Sequence, residues 1–119
     1  MTEVSELVGQ IVTDIKINSN NDEVLFTINE TLKYRMFHYQ DCCETVAIEE
    51  IIGDLNDLIN TPILVAETRS NQGDTKWGTY TWTFYEFRTI KGSVTIRWHG
   101  ESSGYYSEEV NFERIVTSN

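Results

Sequence analysis

Proline occurs once, cysteine twice and histidine twice in 119 residues, and the most apolar run, residues 63–66, is only a handful long. A membrane-crossing helix needs roughly 20 consecutive apolar residues, so none is expected. The opening Met1-Thr-Glu-Val-Ser-Glu6 lacks the basic-then-apolar order of a secretory leader. That places the chain in a cytoplasm and leaves the Asn29-Glu-Thr31 glycosylation triplet unused. The two cysteines are adjacent, Cys42 and Cys43. Neighbouring Cα atoms lie about 3.8 Å apart whereas disulfides prefer roughly 4.4–6.8 Å, so free thiols or metal ligands are expected rather than a staple. Glycine-rich phosphate loops, a nucleophile elbow and a His-Glu-x-x-His pair are all missing.

Positive charge is scarce as well. Nine Lys and Arg stand against nineteen Asp and Glu, for a net charge of −10. Between Arg35 and Arg69 there is no Lys or Arg at all, while Asp41, Glu44, Glu49, Glu50, Asp54, Asp57 and Glu67 fall there. Such a balance disfavours nucleic-acid phosphates and anionic lipid as direct partners and favours a basic protein surface.

What remains is enough apolar and aromatic material, 39% and 12%, for one cooperative core in a single domain. Ile11, Thr13, Ile15 and Ile17 alternate with Val12, Asp14 and Lys16; Val24, Phe26 and Ile28 alternate next, and Tyr34, Met36 and His38 share one face of a third strand; this is a β-meander. Ile48, Ile51, Ile52, Leu55, Leu58 and Ile59 follow helical spacing, which predicts an amphipathic helix over 48–59 with Glu49, Glu50, Asp54 and Asp57 on its outer face, ended by Pro62. A buried strand at 63–66, a polar loop at 71–75, a hairpin of 80–90 with 93–99 and a strand over 105–112 complete the reading. Pairing Ile90 with Ser93 would set Tyr85, Phe87 and Thr89 opposite Trp98, Ile96 and Val94, and Glu86 opposite Arg97. The expected class is α+β, an antiparallel sheet packed on one main helix.

Four chemistries compete for these residues. His38, Cys42, Cys43 and His99 are the whole His and Cys content and offer a tetrahedral zinc set of the structural kind, although the spacing matches no known finger. Against it, Asp41-Cys-Cys-Glu44 also fits a capping box with the cysteines as small hydrophobes, and His38 fits a hydrogen-bonded interior histidine. Cys–His nucleophilic catalysis is opposed by the surrounding acids, which favour the protonated thiol. Trp77, Tyr80, Trp82, Phe84, Tyr85, Phe87 and Trp98 read as core rather than as base-stacking platforms, provided the 48–59 helix covers Trp82 and Phe84. Lastly, Glu49, Glu50, Asp54 and Asp57 could mimic phosphates in a basic groove, or be a solvated face.

The strings Tyr34-Arg-Met-Phe-His38, Gln40-Asp-Cys-Cys-Glu44, Ile51-Ile-Gly-Asp-Leu55, Gly92-Ser-Val-Thr-Ile-Arg-Trp98 and Gly104-Tyr-Tyr-Ser107 resemble a family of small acidic proteins encoded by phages and prophages of Gram-positive bacteria. Within it the chain is similar to the type II anti-CRISPR proteins. The resemblance implies a non-catalytic inhibitor in the host cytoplasm that blocks DNA loading by a CRISPR effector nuclease, with structural zinc as a cofactor. It implies no direct contact with nucleic acid or membrane. A metal- or thiol-dependent enzyme and a phage assembly accessory protein are the alternatives.

Overall fold

A computed structural model describes residues 2–117. Alternation of apolar and polar side chains yields eight antiparallel strands: β1 (Asp14–Ile17), β2 (Glu23–Thr27), β3 (Leu32–Phe37), β4 (Thr45–Ile52), β5 (Val65–Asp74), β6 (Thr79–Thr89), β7 (Gly92–Ser102) and β8 (Asn111–Val116). Two four-stranded sheets result, ordered β1-β2-β3-β8 and β4-β7-β6-β5. They stack through the faces that the two-residue period makes apolar. Val24, Phe26, Tyr34 and Met36 of the first sheet meet Tyr85, Phe87, Val94, Ile96 and Trp98 of the second, all buried. Phe26 and Phe87 lie 5.6 Å apart, and Trp98 Nε1 donates to Met36 Sδ at 3.1 Å across the interface.

No long helix forms among the described residues; the only helical pieces are single 3₁₀ turns at Val4–Leu7 and Leu55–Leu58. The α+β expectation is therefore corrected to a β-sandwich. The stretch read as a helix is β4, then Gly53, then a 3₁₀ turn. Its spacing misleads because β4 carries a bulge: the register against β7 slips between Ile48 and Glu50, so Ile48 and Ile51, three apart, face the same side. Leu55 and Leu58 keep the three-residue spacing because a 3₁₀ turn repeats at i+3. Five β-branched residues among the eight of β4 and a glycine directly after it argue against a helix on propensity.

Gly53 decides between the two readings by sign. Its φ is +106°, and an added Cβ would sit 2.6 Å from the Ser93 carbonyl oxygen. Gly53→Ala should therefore destabilise by about 1–3 kcal/mol, seen as a lower urea midpoint at unchanged slope. Within a helix the same change would stabilise by about 1 kcal/mol.

Other boundaries also shift. The polar segment 71–75 is not a loop: β5 runs through Asp74 in unbroken register with β6. The hairpin places Tyr85 opposite Ile96, Phe87 opposite Val94 and Thr89 opposite Gly92, two residues from the expected pairing, with Phe84 rather than Glu86 opposite Arg97. A slip of two preserves which face each side chain takes. Residues 105–110 form no strand, and β8 starts at Asn111, returning to pair with β3.

Candidate functional site

Beyond the end of β3, the chain turns through residues 38–44 into β4. His38 and Glu44 meet there with side chains 3% and 0% exposed. His38 Nε2 contacts Glu44 Oε2 at 2.8 Å, and Nδ1 contacts the Glu109 carbonyl oxygen at 2.7 Å. Both ring nitrogens face acceptors, so both donate only as the imidazolium. The Glu44 carboxylate also accepts the Asp41 and Cys42 amides at 2.8 Å each. Burial pushes this carboxyl up, but the Cys42 amide, the His38 ring and the Asp41 amide outweigh it and hold its pKa at about 2. This is the reach-back half of a capping box with a strand, not a helix, following it.

The four proposed zinc ligands are not gathered. Cys42 and Cys43 are bonded to each other through sulfur, which corrects the expectation of free thiols or ligands. Both His38 nitrogens are taken. His99 lies on the outer face of β7, its ring 4.3 Å from Trp82 and 6.2 Å from Tyr80. Among the described residues no group of three His, Cys, Asp or Glu side chains converges as a metal site. The donor chemistry suits zinc, but the structure does not bring these four side chains to one point. The reading of His38 as a hydrogen-bonded interior histidine matches its surroundings.

Of the four acids expected on a helix, Glu49 and Glu50 lie on β4 at one edge of the second sheet, and Asp54 and Asp57 on the turn that packs against the β6–β7 hairpin end. Glu49 occupies the bulge and is exposed, and Glu50 lies on the outer face 3.5 Å from Arg97 Nη2. Asp54 accepts the Asn56 amide at 2.9 Å as the cap of the turn that carries Asp57. Glu44 is interior, and Glu67 lies on β5 at the opposite edge, so the acidic segment does not fold into one patch. Acidity is spread over the surface instead. Six of the nineteen acids have an ion-pair partner among the described residues, and two of those partners are histidines.

The helix expected over Trp82 and Phe84 is replaced by flat cationic side chains. On the outer face of β5, β6 and β7, Arg97 lies 5.0 Å over the Trp82 ring and Arg69 lies 5.1 Å over Phe84. A guanidinium stacks well on an aromatic face and is less strongly hydrated than an ammonium. This cover leaves Trp82 and Phe84 half-buried with no further layer of chain among the described residues.

The sequence pattern did not point to an open cleft at one end of the second sheet. β5, β6 and β7 are ten or eleven residues long, whereas the strands of the first sheet have four to six. Their far ends overhang, and the inner face of the overhang lines an open cleft of about 810 Å³. Thr68, Ser70, Thr81, Thr83, Tyr106 and Glu108 are among its walls. Glu108 is buried and accepts hydroxyl bonds from Thr79 at 2.6 Å, Thr81 at 2.7 Å and Ser102 at 2.5 Å. Burial pushes its carboxyl up, but these three hydroxyls and the nearby His99 bring it below its ordinary value. The alternating Thr79, Thr81 and Thr83 are the sequence signal of this hydroxyl-lined face, although nothing in them points to Glu108 as their partner.

Among the described residues no helix is long and apolar enough to cross a membrane. Neither curated proteins nor solved structures yield a match to this chain. A family profile does match, over residues 5–112, spanning both sheets and the His38–Glu44 turn. The chain belongs to that family, the domain of unknown function DUF7448.

Proposed function

We propose that the protein is a non-catalytic binding module whose acidic exterior receives a basic surface of a partner protein. The observation that carries this reading is how the few cations are spent. Arg97 and Arg69 lie on aromatic rings, Arg35 pairs with Glu23 while covering Phe37, and Lys91 Nζ donates to the Ile59 carbonyl at 2.6 Å. Glu49, Asp54, Asp57 and Glu67 have no ion-pair partner among the described residues. A chain of net charge −10 with four of its nine cations held against its own surface presents negative potential outward.

The resemblance to phage-encoded acidic proteins supplies the partner for the test, a CRISPR effector nuclease with its positively charged nucleic-acid channel, and DNA loading as the step blocked. The triple reversal Glu49→Lys, Asp54→Lys, Asp57→Lys is expected to weaken binding to that nuclease roughly ten- to hundredfold at low salt, mostly through the association rate. Titration in increasing salt checks it. Affinity unchanged by both salt and charge reversal would remove the acidic exterior from the function.

A further inference from the structure

Edge strands in natural sheets are normally blunted, by shortness, proline, bulges or lysines, because an open row of backbone amides and carbonyls is a template for another strand. Three of the four sheet edges here are short or bulged: β1 has four residues, β8 six, and β4 is bulged. β5 is not. It is ten residues long, pairs among the described residues with β6 alone, keeps its register from Val65 to Asp74, and has neither proline nor bulge, its charges being Glu67, Arg69 and Asp74. Residues 67–72 are all exposed. At the start of the strand the Val4–Leu7 turn packs close by, but among the described residues nothing pairs with the outer edge from Thr68 to Asp74.

The inner face beside this edge is hollow along its length. The 810 Å³ cleft adjoins a second hollow of about 520 Å³, and the two share Thr68, Tyr85, Glu109 and Val110. Thr68, Ser70 and Gln72, at alternate positions along β5, line the larger cleft, where Asp74, Glu108 and Glu109 outnumber the one cation, Arg69. At its far end the β5–β6 turn abuts the end of β7: a Cβ on Gly78 would lie 2.0 Å from the Ser102 carbonyl oxygen. Trp77 and Tyr105, on these two connections, are 82% and 89% exposed. Exposed tryptophan and tyrosine are the residue types that anchor protein interfaces.

We propose that the free edge of β5 accepts an extended, lysine- or arginine-rich segment of a partner protein as an added antiparallel or parallel strand. Backbone pairing supplies the affinity, and the alternate side chains of the segment enter the acidic, hydroxyl-lined cleft, the division of labour seen in strand-addition recognition generally. The proposal rests on the reading of the protein as a binder of basic partners and names the seat and the form of the partner.

The test uses the full chain and a synthetic peptide alternating lysine and threonine. Binding at low salt should slow hydrogen exchange of alternate amides between residues 68 and 74. Neighbouring amides on a strand point to opposite sides, so of Ser70→Pro and Asn71→Pro one removes an amide from the free edge and spares the β6 ladder. That variant should remain folded and bind the peptide roughly tenfold or more weakly. Should neither proline variant fold, the exchange pattern of the unaltered protein decides alone. Protection elsewhere, or binding untouched by the edge proline, overturns the seat while leaving the broader reading intact if affinity still falls with salt. Absence of any salt-sensitive binding to basic peptide or protein overturns both. Protection of the same amides through self-association, without peptide, makes a second copy of the chain the occupant and overturns the proposal.

Discussion

Trp98→Ala should lower stability by about 3–5 kcal/mol, the range for removing a fully buried aromatic. Trp98 has no exposed surface and sits on β7 between Ile48 of β4 and Thr83 of β6. Its indole reaches across the sandwich to Met36, so the substitution opens a cavity between the two sheets rather than at the rim of one. Close packing on both sides limits how far the void can collapse. Urea unfolding followed by tyrosine and tryptophan fluorescence would report it as a lower midpoint with the slope kept. Trp98→Phe, which keeps most of the volume and loses the donor to sulfur, should cost markedly less.

The second large effect is in acid. Glu44 has a pKa of about 2 in the folded chain against 4.5 ordinarily. A carboxyl depressed by folding stabilises the native state above its unfolded pKa, and that stabilisation is lost as pH falls through the folded value. The window here runs from about 4.5 down to about 2. Glu44→Gln keeps an acceptor oxygen for one of the Asp41 and Cys42 amides but removes the charge facing His38. The variant should be less stable than the parent at every pH above 4.5, with the difference shrinking steadily as pH approaches 2. Denaturant midpoints measured across that range check the sign. A gap that stays constant into strong acid would mean that the carboxylate charge contributes nothing to holding the turn.

Much of the sandwich was legible because its strands obey a strict two-residue period. β2, β3 and the faces of the β6–β7 hairpin follow directly from Val24 and Phe26, Tyr34 and Met36, and Tyr85 and Phe87. The hairpin register slipped because Ile90 and Lys91, rather than Lys91 and Gly92, make the turn. Turns of either kind leave the faces unchanged, so side-chain chemistry could not tell them apart. β4 was illegible for a different reason: a bulge adds one residue, and an added residue converts alternation into the i, i+3 spacing of a helix. Residues 71–74 of β5 looked like a loop because an edge strand past the end of the opposing sheet has no buried face to impose a period. Of the candidate site, an interior His38 and a Glu44 reaching back to Asp41 were legible in the local string, but their contact with each other was not. The Glu108 cage was not, since Thr79 and Thr81 lie on β6 and Ser102 on β7, and only the sheet register brings them together.

β8 inserts beside β3, so Leu32 pairs with Val116 and Phe37 with Asn111. On the ribosome, the first meander is therefore synthesised long before its remaining neighbour exists, and β4 likewise waits for β7. Closing such distant pairs makes folding slow relative to a helical chain of the same size. During that delay the apolar faces of β2 and β3 stand open to other nascent chains, which makes translation pace and chaperone supply determinants of how much of the protein a cell accumulates.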